Sequence, residues 1–143
     1  MTDRTKLESV VRTVYRARDE NDVETIVANW GPDGTFRIVG NEGMGPITKP
    51  VRGVEAVRAT LQELLNDWDL ADARIVSLHV DENTVYVHRA GRVRFIPSDT
   101  WINTDMMDKF TFEGDKIVDF LEFADTMLIA ETAGLLTSAA QRQ

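Results

Sequence analysis

The chain has 143 residues, 43% of them hydrophobic and 28% charged, enough for one domain with a real core and too few for two. A formal net charge of -8 leaves no basic footprint for nucleic acid, and the acidity reads as a device for solubility. With no cysteine, disulfides, thiol catalysis and cysteine-held zinc or iron–sulfur sites are excluded.

The polar start of the chain, Met1-Thr-Asp-Arg-Thr-Lys, lacks the apolar region of a signal peptide, and no apolar run approaches the ~18 residues of a membrane span. A cytoplasmic protein without membrane contact is expected. Leu7, Val10, Val11 and Val14 form the i, i+3, i+4, i+7 stripe of an amphipathic helix, with Thr5-Lys-Leu-Glu8 as its capping box. Asp22 caps a second, short helix through Val23, Ile26 and Val27, which Gly31-Pro-Asp-Gly34 stops. Thr35–Val39 alternates like a strand. Gly40 to Gly53 reads as a loop. Val54, Val57, Leu61, Leu64, Leu65 and Trp68 then give the clearest helical stripe in the chain.

After Asp72 the period becomes strand-like. Ala73–Val80 and Thr84–Ile96 are joined at Asp81-Glu-Asn83, and Trp101–Phe112 and Lys116–Ala124 follow around a tight turn at Glu113-Gly-Asp115. Asp125 opens a last helix through Met127, Leu128 and Ile129, with Gly134 as its stop. Early helices and a late run of strands indicate an α+β fold with helices on one face of a curved antiparallel sheet.

Familiar catalytic motifs are missing. Gly40-Asn-Glu-Gly-Met-Gly45 neither leads directly into a helix nor ends in Lys-Ser/Thr, so it is no phosphate loop. His79 and His88 have no second histidine at helical metal-ligand spacing, and both fall on expected strands. No Gly-x-Ser-x-Gly elbow is present, and no cofactor is implied. Trp30 and Trp68 fall at helix ends and Trp101 at a strand start, positions for core, rim or partner packing.

In order and spacing, several segments resemble the nuclear transport factor 2-like superfamily, also called SnoaL-like, over residues 5–135. They are Val10-Val-Arg-Thr-Val14 with Asp22-Val23, Trp30-Gly-Pro-Asp-Gly-Thr-Phe36, Val51-Arg-Gly-Val-Glu-Ala-Val57, Phe112-Glu-Gly-Asp-Lys-Ile117 and Glu122-Phe-Ala-Asp125. The resemblance implies a cystatin-like α+β barrel: a cone-shaped, mixed sheet wrapped on N-terminal helices, open at one end as an apolar pocket, and a homodimer through the outer sheet face. It also anchors the inward parity of the strands. Phe36, Ile38, Val87, Gly91, Met106, Phe110 and Phe120 then line a pocket with Val14 and Trp30, and Arg89, Asp108 and Glu122 converge in it.

Two branches of that superfamily bear on the chemistry. Against the ketosteroid isomerases, Asp108 falls at the oxyanion-hole aspartate. The catalytic base position is Ile38, and the tyrosine position is Val14, with Tyr15 one residue off. Against the limonene epoxide hydrolases, Arg89 falls at the arginine and Glu122 at one aspartate. The other aspartate is Gly91, and the tyrosine and asparagine are Phe36 and Ile38. The expectation is that Asp108 replaces the lost acid, giving an acid–Arg89–acid array for acid–base work on a small apolar or oxygenated molecule. Two alternatives stand beside it: a non-catalytic ligand-binding domain, and a protein-interaction domain in which the three charges only brace the sheet.

Overall fold

Asp3, not Thr5, caps the first helix. Its carboxylate accepts from the Lys6 amide at 3.1 Å, so α1 runs Arg4–Asp19. Glu8 turns outward to Arg12 at 3.0 Å instead of back to the cap. The computed structural model describes residues 3–135. Asp22 caps α2 (Val23–Ala28) through the Thr25 amide, as the sequence suggests. The Gly-Pro segment does not merely end that helix: β1 spans Trp30–Val39 and begins five residues before its alternating part.

The expected loop Gly40–Gly53 holds 3-10 turns over Glu42–Thr48 and a two-residue strand, β2 (Val51–Arg52). Helix α3 covers Val54–Asp67. Trp68 lies just past it, starting β3 (Trp68–Asp69). The remaining elements are β4 (Ala73–Asp81), β5 (Thr84–Phe95), β6 (Thr100–Glu113), β7 (Lys116–Ala124) and α4 (Thr126–Thr132). Gly114 takes φ +63 in the β6–β7 turn, a backbone that glycine adopts without steric cost. Asp125 caps α4 through the Leu128 amide at 3.1 Å.

The strands form one mixed sheet in the order β2-β1-β7-β6-β5-β3, with β4 also on β5. β1 and β7 pair in parallel, and the other pairs are antiparallel. The sheet is strongly curled, the cone that the family resemblance implied. Its concave face and helices α1, α2 and α3 share one core of Val10, Val11, Val14, Phe36, Val87, Phe110 and Phe120, among others. Each such side chain contributes about 1.5–3 kcal/mol by leaving water. A smaller cluster of Trp68, Leu70, Ala73, Val93 and Met106 sits apart from it.

The tight core corrects the expected pocket lining. Phe36, Val87, Phe110, Phe120, Val14 and Trp30 all point inward, but they pack on one another. The Phe110 and Phe120 rings lie 4.5 Å apart, and Phe36 and Phe120 stack at 5.2 Å. Gly91 faces a neighbouring backbone instead: a Cβ there would meet the Asp72 carbonyl oxygen at 2.6 Å, and its φ is +146. The Leu70–Ala73 turn occupies the space that a side chain at position 91 would need.

Candidate functional site

Two residues of α1 reach across the core to two acids of the sheet. Asp108 on β6 and Glu122 on β7 are direct cross-strand partners. Tyr15 and Arg18, three apart on one helix face, each take one of them. The Tyr15 hydroxyl donates to Asp108 Oδ2 at 2.5 Å. Arg18 Nη1 donates to Glu122 Oε2 at 3.0 Å, and Nη2 lies 3.5 Å from Oε1. All four side chains are buried.

Arg89 does not bridge the acids. Its Nη2 donates to the Ala73 carbonyl at 2.8 Å and lies 3.4 Å from both the Leu70 carbonyl and Asp19 Oδ1. Its guanidinium stacks on the Tyr15 ring, 4.5 Å from the centroid, a favourable cation–π geometry. The acid–Arg89–acid array expected from the sequence is therefore replaced by two separate links, Tyr15–Asp108 and Arg18–Glu122, with Arg89 clamping the turn that follows β3.

These surroundings divide the two carboxyls. Burial first, then the nearby Glu122 charge, pushes Asp108 up to about 8, against the opposing pull of Arg18, Tyr15 and Arg89. Asp108 is thus mostly a neutral acid at neutral pH. Burial and the Asp108 contact also raise Tyr15 well above its ordinary value, so it keeps its proton. For Arg18, burial opposes the charge, but the adjacent Glu122 outweighs it and holds the guanidinium charged. Four buried polar atoms have no hydrogen-bond partner among the described residues, all of them in this cluster: Arg18 Nε, Arg89 Nε and Nη1, and Asp108 Oδ1.

The two links differ in access. Arg18 and Glu122 line a chamber of about 40 Å³ whose other walls include Ile38, Val93, Thr104 and Met106. Asp108, Tyr15 and Arg89 do not line it. Of the nine expected pocket-lining positions, the chamber takes in Ile38 and Met106. A second chamber of about 360 Å³ lies beside it, and Ile47, Leu64 and Trp68 belong to both linings. Among the described residues no three His, Asp or Glu side chains gather as a metal would require. His88 pairs with exposed Asp105 at 2.7 Å.

Arg18 and Tyr15 carry a signal in the helix periodicity. Arg18 continues the Leu7, Val11, Val14 stripe at i+4, and Tyr15 follows Val11 at i+4. A charged residue on the apolar side of a helix is buried, and a buried charge needs a partner.

Comparisons with known proteins agree with this architecture. A family model described as the SnoaL-like domain matches residues 11–120. A Bacillus subtilis protein provisionally named an isomerase superposes with a TM-score of 0.83 at 16% identity, covering 95% of this chain and 98% of that one. An LEH-like epoxide hydrolase from M. tuberculosis gives 0.68 at 16% identity, covering 91% and 97%. TerC, co-crystallised with polyporic acid, gives 0.75 at 16% identity, covering 88% and 96%. At such identities these likenesses show the fold. No curated protein matches the chain.

Proposed function

The chain belongs to the SnoaL-like domain family, and from that premise we propose that it binds a small, largely apolar organic molecule and moves a proton on it with a buried carboxylate. The reaction would be of the isomerase, cyclase or epoxide-hydrolase kind, with no resident cofactor. One observation carries this reading: a chamber apolar except for Thr104 ends on the Arg18–Glu122 pair. A mostly apolar lining with a few convergent polar groups is the ordinary form of a small-molecule site.

The roles follow from position. Glu122 reaches the chamber and is the proton acceptor. Arg18 holds its oxygens in place and offers donors to charge developing on a substrate oxygen. Asp108 sits behind Glu122 as a neutral acid, a form that a dry interior tolerates. Tyr15 and Arg89 are positioning residues for that acid. The protein would act as a homodimer through its outer sheet face, where Tyr86, Met107 and Phe123 are exposed, and it would work in the cytoplasm.

Binding without turnover is the second reading. It is favoured by the prior engagement of Glu122 with Arg18 and by the small size of the inner chamber. Turnover of an epoxide and polyketide panel by wild type and Glu122→Gln separates the two. Catalysis predicts turnover that the Gln variant loses by about a hundredfold or more. Native mass spectra showing an unchanged apolar ligand over hours, with no turnover, would establish the second reading. A protein that neither binds nor converts any member of the panel would sink both.

A further inference from the structure

The two chambers together describe a ligand in two parts. The inner one, at about 40 Å³, has room for roughly one to three water-sized groups. It is too small for a whole organic substrate, which needs a site of about 300 Å³ or more. The adjoining chamber, at about 360 Å³, is of that size. One side is apolar, with Met44, Val51 and Phe95, whose ring lies 4.7 Å from Trp68 at 49°, and Lys49, Glu63 and Asp67 add charge to the lining. Ile47, Leu64 and Trp68 belong to both linings and make the wall that the two spaces share.

The inner chamber also has a defined chemistry. Arg18 Nε is buried and has no partner among the described residues, a state that costs about 1–3 kcal/mol until an acceptor arrives. An acceptor on the ligand meets that need. A carboxylate or phosphate does not suit the place: Glu122 sits 3.0 Å from the same guanidinium, so a second anion would leave one buried negative charge uncompensated. A purely apolar group would leave Arg18 Nε as it is. A neutral oxygen, such as a carbonyl, ether or hydroxyl, satisfies the donor and keeps the chamber neutral.

Resting on the ligand-binding reading above, we infer that Ile47, Leu64 and Trp68 select ligands by shape and the Arg18–Glu122 pair by charge. A ring-sized apolar body stays in the outer chamber against Trp68. One small neutral oxygen-bearing arm passes the wall and accepts a hydrogen bond from Arg18.

Three probes with one ring and different arms test this: acetophenone, benzoate and ethylbenzene. Binding is followed by chemical shifts of the Trp68 indole N–H and the Ile47 methyl groups in labelled protein. Acetophenone is expected to shift both, with benzoate and ethylbenzene at least about tenfold weaker. Ile47 is only partly buried, so Ile47→Ala keeps the fold. It should admit tert-butyl phenyl ketone about tenfold better than wild type does, while leaving the order of the other three unchanged. The inference is overturned if benzoate or ethylbenzene matches acetophenone, or if Ile47→Ala leaves the bulky ketone's affinity where it was. Those results leave the ligand-binding reading standing. If no probe shifts either residue, both fail.

Discussion

The Tyr15–Asp108 and Arg18–Glu122 links are built alike and end differently. Each joins α1 to one member of the same cross-strand pair. The first is sealed among Phe110, the Arg89 guanidinium and the core. The second ends at a chamber. The sealed link uses a neutral donor and an acid held neutral, which a dry interior tolerates. The chamber link uses a full ion pair, which is worth its desolvation only with tight geometry or a task to perform. One helix face thus contributes a structural brace and a chemical group three residues apart.

The strongest way to break that contrast is to remove one charge. Arg18→Met leaves Glu122 buried without its partner, and stability should fall by about 3–5 kcal/mol in denaturant titration. A loss below about 1 kcal/mol would mean that Glu122 is wet or neutral, and the contrast between the links would vanish.

Next in size is the pH response of the sealed link. The folded Asp108 is raised from 3.8 to about 8, so the native state binds the extra proton between those values. Stability from this group is therefore full at low pH and lost as pH rises toward and through about 8. Over roughly pH 6 to 8 the slope corresponds to a loss of about 2 kcal/mol. Asp108→Asn mimics the neutral acid and should flatten that slope, becoming the more stable protein near pH 9. Parallel pH–stability curves for the two proteins would show that Asp108 is ionised in the fold. Tyr15→Phe is milder: one neutral hydrogen bond is lost, at about 1 kcal/mol by thermal or chemical denaturation. A cost as large as that of Arg18→Met would make the sealed link the more heavily charged of the two.

The fold was legible because its signals are local. The α1 stripe, the Asp22 and Asp125 caps, the Gly114 turn and the parity of β5 to β7 each rest on a few neighbouring residues. Parity also placed Arg89, Asp108 and Glu122 on the inner face correctly. Their partners were not legible from strands alone, because they come from α1, about ninety or more residues away for the two acids. The filling of the expected pocket was hidden for another reason. Alternation tells which way Phe36, Phe110 and Phe120 point, and not whether three rings meeting at the cone axis leave any space. Gly91 shows the same limit: its missing side chain marks the close approach of the Leu70–Ala73 turn, a contact that no spacing rule in β5 announces.

The smallest effect decides whether the two links are separate devices at all. Tyr15 and Arg18 share a helix face, and Asp108 and Glu122 face each other, so contact alone would suggest coupling. Charge argues otherwise. Loss of the Tyr15 hydroxyl removes a bond that favours the ionised form of Asp108, so Asp108 stays neutral and Glu122 senses no new charge. Tyr15→Phe combined with Arg18→Lys, which keeps a cation beside Glu122, should cost the sum of the single changes to within about 0.5 kcal/mol at neutral pH. Above the Asp108 midpoint two adjacent carboxylates would be ionised, and their repulsion should bring the coupling above that level. Strong coupling already at neutral pH would merge brace and chamber into one network, and the proton held by Asp108 would then be available to Glu122 during chemistry.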